Sequence, residues 1–169
     1  MGVRRQAREA ALQALFMCDF ISDWSIQAAD FCLEHFSIPK SVRPYAAQLC
    51  AGVIQNLAKI DSSLTCASEH WSLNRMGRVD RSILRLATFE LVFLDEIPVN
   101  VAINEAIEIA KRFGAEESPH FVNGVLDRVA SLNKPKIEVE KVPPRAAEGR
   151  DAELPAAAIV ADDLEEEVA

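Results

Sequence analysis

The sequence predicts an all-α fold, an antiparallel helical bundle, on three observations. Apolar residues between positions 3 and 133 recur at spacings of three and four. No run there alternates with period two between hairpin turns. Pro, Gly and Ser fall where one helix would end and the next begin.

The first helix is expected over 3–21, where Ala11, Leu12, Ala14, Leu15 and Cys18 line one face. Ser22 is placed as the cap of a second helix carrying Ile26, Ala29, Phe31, Leu33 and Phe36, which stops before Pro39. A third runs from about Ser41 to Lys59, with Tyr45, Leu49, Val53, Ile54 and Leu57. A short fourth covers roughly 60–68 around Leu64.

The next segment starts at Ser72, breaks near Gly77 and resumes as Val79 to Leu94. That stretch is apolar almost all round (Ile83, Leu84, Leu86, Ala87, Phe89, Leu91), which places it at the centre of the core. Pro98 opens a helix repeating Ala102, Ala106 and Ala110, and Gly114 is expected as its C′ residue. Ser118 and Pro119 are an N-cap and first-turn pair for a last helix with Val122, Val125, Leu126 and Val129. From Lys134 the pattern stops: prolines cluster, alanines follow, and Asp162, Asp163, Glu165, Glu166 and Glu167 close the chain. Such a composition buries too little apolar area to offset chain entropy, so 134–169 is expected as a disordered acidic tail beyond a domain at 1–133.

Charge follows that division. The whole chain holds 18 basic and 26 acidic residues, a net of −8. Residues 134–169 contribute five basic and ten acidic residues, leaving the body near neutral. The total therefore says little about the body's surface, where local charge decides nucleic-acid binding. No stretch reaches the roughly 18 apolar residues of a membrane span. Arg8 and Glu9 interrupt what would be a signal sequence, and Gln6 stands where myristoylation wants Ser or Thr. The expected location is the cytoplasm.

Candidate chemistry is sparse. There is no phosphate-binding Gly loop, Gly-x-Ser-x-Gly or His-Glu-x-x-His, so no catalytic residue and no cofactor is expected. Cys18, Cys32, Cys50 and Cys66 lack metal-ligand spacing and are read as reduced core residues. His35, His70 and His120 share no ligand spacing and are read as surface or half-buried, so no metal is expected. Glu105 and Glu108 are read as a solvent face, with Lys111 and Arg112 supplying helix ion pairs.

The informative feature is Arg4, Arg5 and Arg8. At about 100° per residue, Arg8 lies about 40° from Leu12 and Arg4 about 40° beyond it, so both extend the apolar stripe. Unpaired guanidinium groups cannot be buried, so the first turns are expected to overhang the body. Cations there also oppose the helix dipole, which a polyanion such as RNA would relieve. A frayed basic terminus is the plain alternative. A second run, Arg75, Arg78, Arg81 and Arg85 beside Trp71, has the residue types that stack on and neutralise single-stranded RNA. Its plain alternative is a core Trp71, with Arg81 and Arg85 salt-bridged across the bundle.

Three blocks then stand out: Arg4–Phe16 (RRQAREAALQALF), Val79–Leu91 (VDRSILRLATFEL), and Pro98–Ser118 (PVNVAINEAIEIAKRFGAEES) continuing into Phe121–Asp127 (FVNGVLD). In order and content they resemble the NusB family of transcription antitermination factors. The resemblance implies two packed helical subdomains and binding of boxA, a single-stranded RNA element of ribosomal and other leader transcripts. It also implies action with NusE, a small-subunit ribosomal protein, in an antitermination complex on RNA polymerase. The expected RNA-binding set is Arg4, Arg5, Arg8, Arg75, Arg78 and Lys111. Gln6, where a further arginine often stands, implies weaker RNA affinity or more reliance on the partner. Phe121 is the first choice for the partner surface, with Phe16 and Glu90 behind it. The same fold occurs as an appendage of RNA cytosine methyltransferases, but no catalytic domain with a Gly-rich loop follows, so that activity is not expected. The competing reading is a helical protein-interaction module or homodimer that ignores RNA.

Overall fold

The computed structural model describes residues 2–69 and 71–133. The expected tail and His70 lie outside these residues. Seven α-helices and one short 3-10 turn make up the described chain, with no strand among the described residues.

Helix α1 (Val3–Ile21) has the predicted bounds. Ser22 does not cap the second helix. It adopts the left-handed conformation (φ 57°) and closes α1, its amide donating to the Cys18 carbonyl. Helix α2 (Ile26–His35) is capped by Ser25, whose hydroxyl accepts from the Ala28 amide at 3.1 Å. The boundary between the expected third and fourth helices falls at Asn56 rather than after Lys59. Helix α3 (Arg43–Gln55) and helix α4 (Leu57–Ala67) meet at Asn56, where φ and ψ leave helical values and the Asn56 side chain donates to the Gly52 carbonyl. The break lets Leu57 and Ile60 turn toward the core beside α5.

A 3-10 turn (Leu73–Arg75) precedes helix α5 (Arg78–Phe93), in which residues 82–90 are all buried. The nearly all-apolar pattern had placed this helix at the centre, and it packs against α1, α3, α4 and both helices that follow it. Helix α6 (Val99–Phe113) starts after Pro98. It ends at Gly114 with φ −88°, so this glycine is not a left-handed cap. A β-carbon there would lie 2.6 Å from the Ser118 hydroxyl, so space rather than backbone freedom selects glycine. Helix α7 (Ser118–Asn133) begins with Ser118 already helical. Its hydroxyl accepts from the Ala115 amide, bracing the loop instead of capping forward.

The helices form two groups, α1–α3 and α4–α7, joined by α5 against α1 and α3. Leu15, Leu49, Val53, Leu84, Ile109 and Leu126 are fully buried at their shared core. Cys18 and Cys50 are buried there, as expected, and burial pushes both thiols' pKa values up. Cys66 is not a core residue: it lies on the exposed face of α4.

Candidate nucleic-acid and partner interface

The N-terminal arginines do not overhang the body. Arg8 is buried, its Nε donating to both carboxylate oxygens of Glu90 at 2.9 and 3.0 Å. Its Nη1 lies 3.4 Å from Glu105 Oε2. Tyr45 completes the cluster, its hydroxyl donating to Glu90 Oε1 at 2.8 Å. Burial, then the Glu90 charge and hydrogen bond, push the Tyr45 hydroxyl up to about 12. These cations are not unpaired: their counter-charges come from α5 and α6.

Arg5 is half-buried and makes a bidentate pair with Glu105, Nε to Oε2 at 2.9 Å and Nη2 to Oε1 at 2.7 Å. Glu105 is therefore no solvent-face residue. Its hydrogen bonds from Arg5 hold its carboxyl below the ordinary range. Arg4 is exposed and lies 5.7 Å from the Tyr45 ring centroid, in cation–π contact. Farther along α6, Lys111 pairs with Glu108 at 2.6 Å on the surface, and Arg112 bonds Glu9 of α1. Arg112 also lies over the Phe113 ring at 5.2 Å. A line of charged side chains thus follows α1 and α6 from Arg4 toward Phe113.

At Phe113 the surface becomes apolar. Three adjoining hollows of about 290, 410 and 260 Å³ share walls and form one groove. Phe16, Val79 and Phe113 join the first two; Gly77, Asp80, Ala115 and Ser118 join the second and third. Met17 and Phe36 mark one end, Trp71 and Phe121 the other. Phe20 and Trp71 expose 57% and 53% of their area, more than ordinary core aromatics do. Phe16 stacks on Phe20, and Trp71 sits tilted on Phe121 at 6.4 Å.

The groove brings two of the three expected partner residues together, Phe16 and Phe121. Glu90 is not among them. At 1% exposure it is a core carboxylate paired with Arg8 and is not part of the groove surface. Two acids line the groove, Glu117 and Asp80, and the buried Oδ1 of Asp80 has no hydrogen-bond partner among the described residues. Nothing in the sequence separates Asp80 from its neighbours, because the distinction is which side of α5 the groove occupies.

The second arginine run divides. Arg81 and Arg85 turn inward and bind Asp19, and Arg85 also takes Asp61 at 2.8 and 2.9 Å while lying over Trp24. This pairing across the bundle is the plain alternative for those two. Arg75 and Arg78 stay exposed and line the groove, Arg78 over the Phe20 ring. Trp71 is exposed rather than core. No group of three or more His, Cys, Asp or Glu side chains among the described residues is arranged to hold a metal ion. No described helix is long and apolar enough to cross a membrane.

The model of the NusB family matches residues 5–131, most of the chain and all seven helices in order. The chain belongs to the NusB family. It is 47% identical over 133 residues to the transcription antitermination protein NusB of Geobacter sulfurreducens, covering 78% of this chain and 96% of that protein. It is equally similar, 47% over 139 residues, to the same-named protein of Desulfotalea psychrophila, covering 78% and 98%. Among solved structures, T. maritima NusB superposes with a TM-score of 0.71 at 45% identity over 79% of this chain and 94% of that one. A crystal structure of antitermination factors NusB and NusE in complex with dsRNA superposes with a TM-score of 0.68 at 27% identity, covering 77% and 97%. Of the cation line and groove, only Arg4 precedes the segment that matches the NusB family model.

Proposed function

We propose that this protein is a non-catalytic transcription antitermination factor that binds single-stranded boxA RNA together with NusE and joins the RNA polymerase elongation complex. One observation carries the reading: the charged line along α1 and α6 runs directly into the apolar groove, so a polyanion and an apolar partner would sit side by side. Arg4, Arg5 and Lys111 take phosphates of the RNA. Arg75 and Arg78 extend that contact to the groove, where Trp71 offers a stacking face. Phe16 and Phe121 seat NusE, with Asp80 as an acceptor between them. Arg8 and Glu90 act from beneath, by holding α1 against α5. A crystal structure of a similar NusB with NusE and dsRNA supports the joint binding of RNA and NusE.

The test is a titration of boxA-type RNA with and without NusE. Wild type binds more tightly with NusE present, and its affinity falls with added salt. R4A/R5A weakens RNA binding in both conditions, while F16A and F121A weaken only the gain from NusE. An R4A/R5A affinity equal to wild type overturns the RNA site. The exposed Met17, Phe20 and Trp71 at the groove favour one second reading, a homodimer closed over it. Light scattering that finds a stable dimer indifferent to RNA would establish that reading instead.

A further inference from the structure

Arg5 is held before any RNA arrives. Glu105 accepts from Nε and from one Nη2 hydrogen, which fixes the guanidinium plane. The outer edge, with both Nη1 hydrogens and the second Nη2 hydrogen, has no partner among the described residues. That edge is a planar fork of the width a phosphate accepts bidentately. The side chain is 35% exposed, enough for such a contact.

Glu105 also steadies the backbone that carries Arg4 and Arg5. The first turn of α1 has no acidic residue, Gly2 provides no capping side chain, and Arg4 and Arg5 oppose the helix dipole. Glu105 reaches this turn from α6 and ties Arg5 and Arg8 together. Its bonds from Arg5 keep it ionised well below neutral pH.

We propose that Glu105 is a positioning residue of the RNA site, which presents the outer edge of Arg5 to a phosphate and holds the first turn of α1 in helical form. The inference rests on the reading of Arg4 and Arg5 as phosphate contacts. Two effects of Glu105 oppose each other. Its negative charge repels RNA, but it stands behind the guanidinium, in partial solvent, where repulsion is screened. Its ordering effect covers a whole helical turn and a rotamer-rich side chain, which would otherwise be ordered at the expense of binding. Ordering prevails.

The signs make the test sharp. E105Q and E105A each add one unit of positive charge, so simple electrostatics gives tighter RNA binding. Positioning gives weaker binding, about three- to tenfold for E105A and less for E105Q, which retains one acceptor for Arg5. Fluorescence anisotropy with labelled boxA-type RNA reads the affinity, over a series of salt concentrations. The salt slope of E105A falls by about 0.7, the share of one single-strand phosphate contact, as it does for R5A. In the R5A background E105A has little further effect. E105A binding equal to or tighter than wild type, with an unchanged or steeper slope, overturns the proposal. If R5A itself leaves RNA affinity and slope unchanged, the underlying RNA site fails instead, and the two failures are distinguishable. Circular dichroism of each variant confirms that α1–α7 remain folded before affinities are compared.

Discussion

Arg8 and Glu90, 82 positions apart in the chain, meet as an ion pair that is almost wholly removed from water. The pair joins α1 to α5, and Tyr45 adds α3 through a third hydrogen bond to Glu90. A buried pair of this kind contributes little net stability compared with apolar residues of the same shape, but losing one partner leaves the other charge stranded. R8A and E90Q are therefore each expected to lower the unfolding free energy by about 3–5 kcal/mol. The double substitution R8M/E90L is expected to cost clearly less than the sum of the two. Urea unfolding of the four proteins checks this, and an R8A loss below about 1 kcal/mol would refute the role given to the pair.

Tyr45 is the single tyrosine of the chain, so phenolate absorbance reports it alone. Its hydroxyl is pushed up to about 12 by burial and by Glu90. At about pH 10.5 an ordinary tyrosine is more than half ionised, whereas Tyr45 in the folded protein stays protonated. Because the folded pKa is raised, the linked stability is fully present below about pH 10 and is lost as pH rises toward 12. Titration at 295 nm in buffer and in urea reads the first effect. Urea melts of wild type and Y45F across the same range read the second, and a gap between them that stays constant from neutral pH to about pH 11 would contradict the linkage.

Helix existence was legible in the sequence because a 3.6-residue apolar period is a local signal. Seven helices stand where that period placed them, apart from a boundary between the third and fourth displaced from Lys59 to Asn56 and a cap displaced from Ser22 to Ser25. The groove was half legible. Phe16 and Phe121 came from blocks of residues resembling a family, and the fold brings both to one surface. Charge pairing was legible in part: the Glu108–Lys111 pair and the inward pairing of Arg81 and Arg85 were among the readings, whereas the partners of Arg5 and Arg8 were not. Arg8 looked unpaired because Glu90 and Glu105 lie on helices far along the chain, and Glu105 looked solvent-facing because its own helix offers Lys111 and Arg112 nearby. Periodicity gives a residue's face but not what the fold sets opposite.

Gly52 shows the same limit in packing. No turn or positive φ requires glycine there, yet an added β-carbon would overlap the Phe89 ring where α3 crosses α5. Phe89 is itself buried and stacks on Phe93, so its ring has little room to retreat. G52A raises helix propensity by about 1 kcal/mol, but overpacking costs about 1–3 kcal/mol. Because the facing ring cannot retreat, the upper end of that cost applies, and a net destabilisation of about 2 kcal/mol is expected. G52A/F89L, which shortens the facing ring, is expected to recover part of that loss. A G52A protein as stable as wild type in urea would mean that α3 and α5 do not approach as closely as described.

The four cysteines divide by exposure, and a thiol reagent reads that division directly. Cys18 and Cys50 lie within the core, where burial raises their pKa values and bars access. Cys32 is half-buried, and burial raises its pKa as well. Cys66, on the outer face of α4, is the accessible one. At pH 8 the folded protein is expected to release one equivalent of chromophore rapidly from Ellman's reagent, and C66S abolishes that phase. The remaining thiols react only as the fold opens, so their rates follow the unfolding equilibrium and rise with urea. Two rapid equivalents would place Cys32 at the surface, and none would return Cys66 to the core that its sequence pattern first suggested.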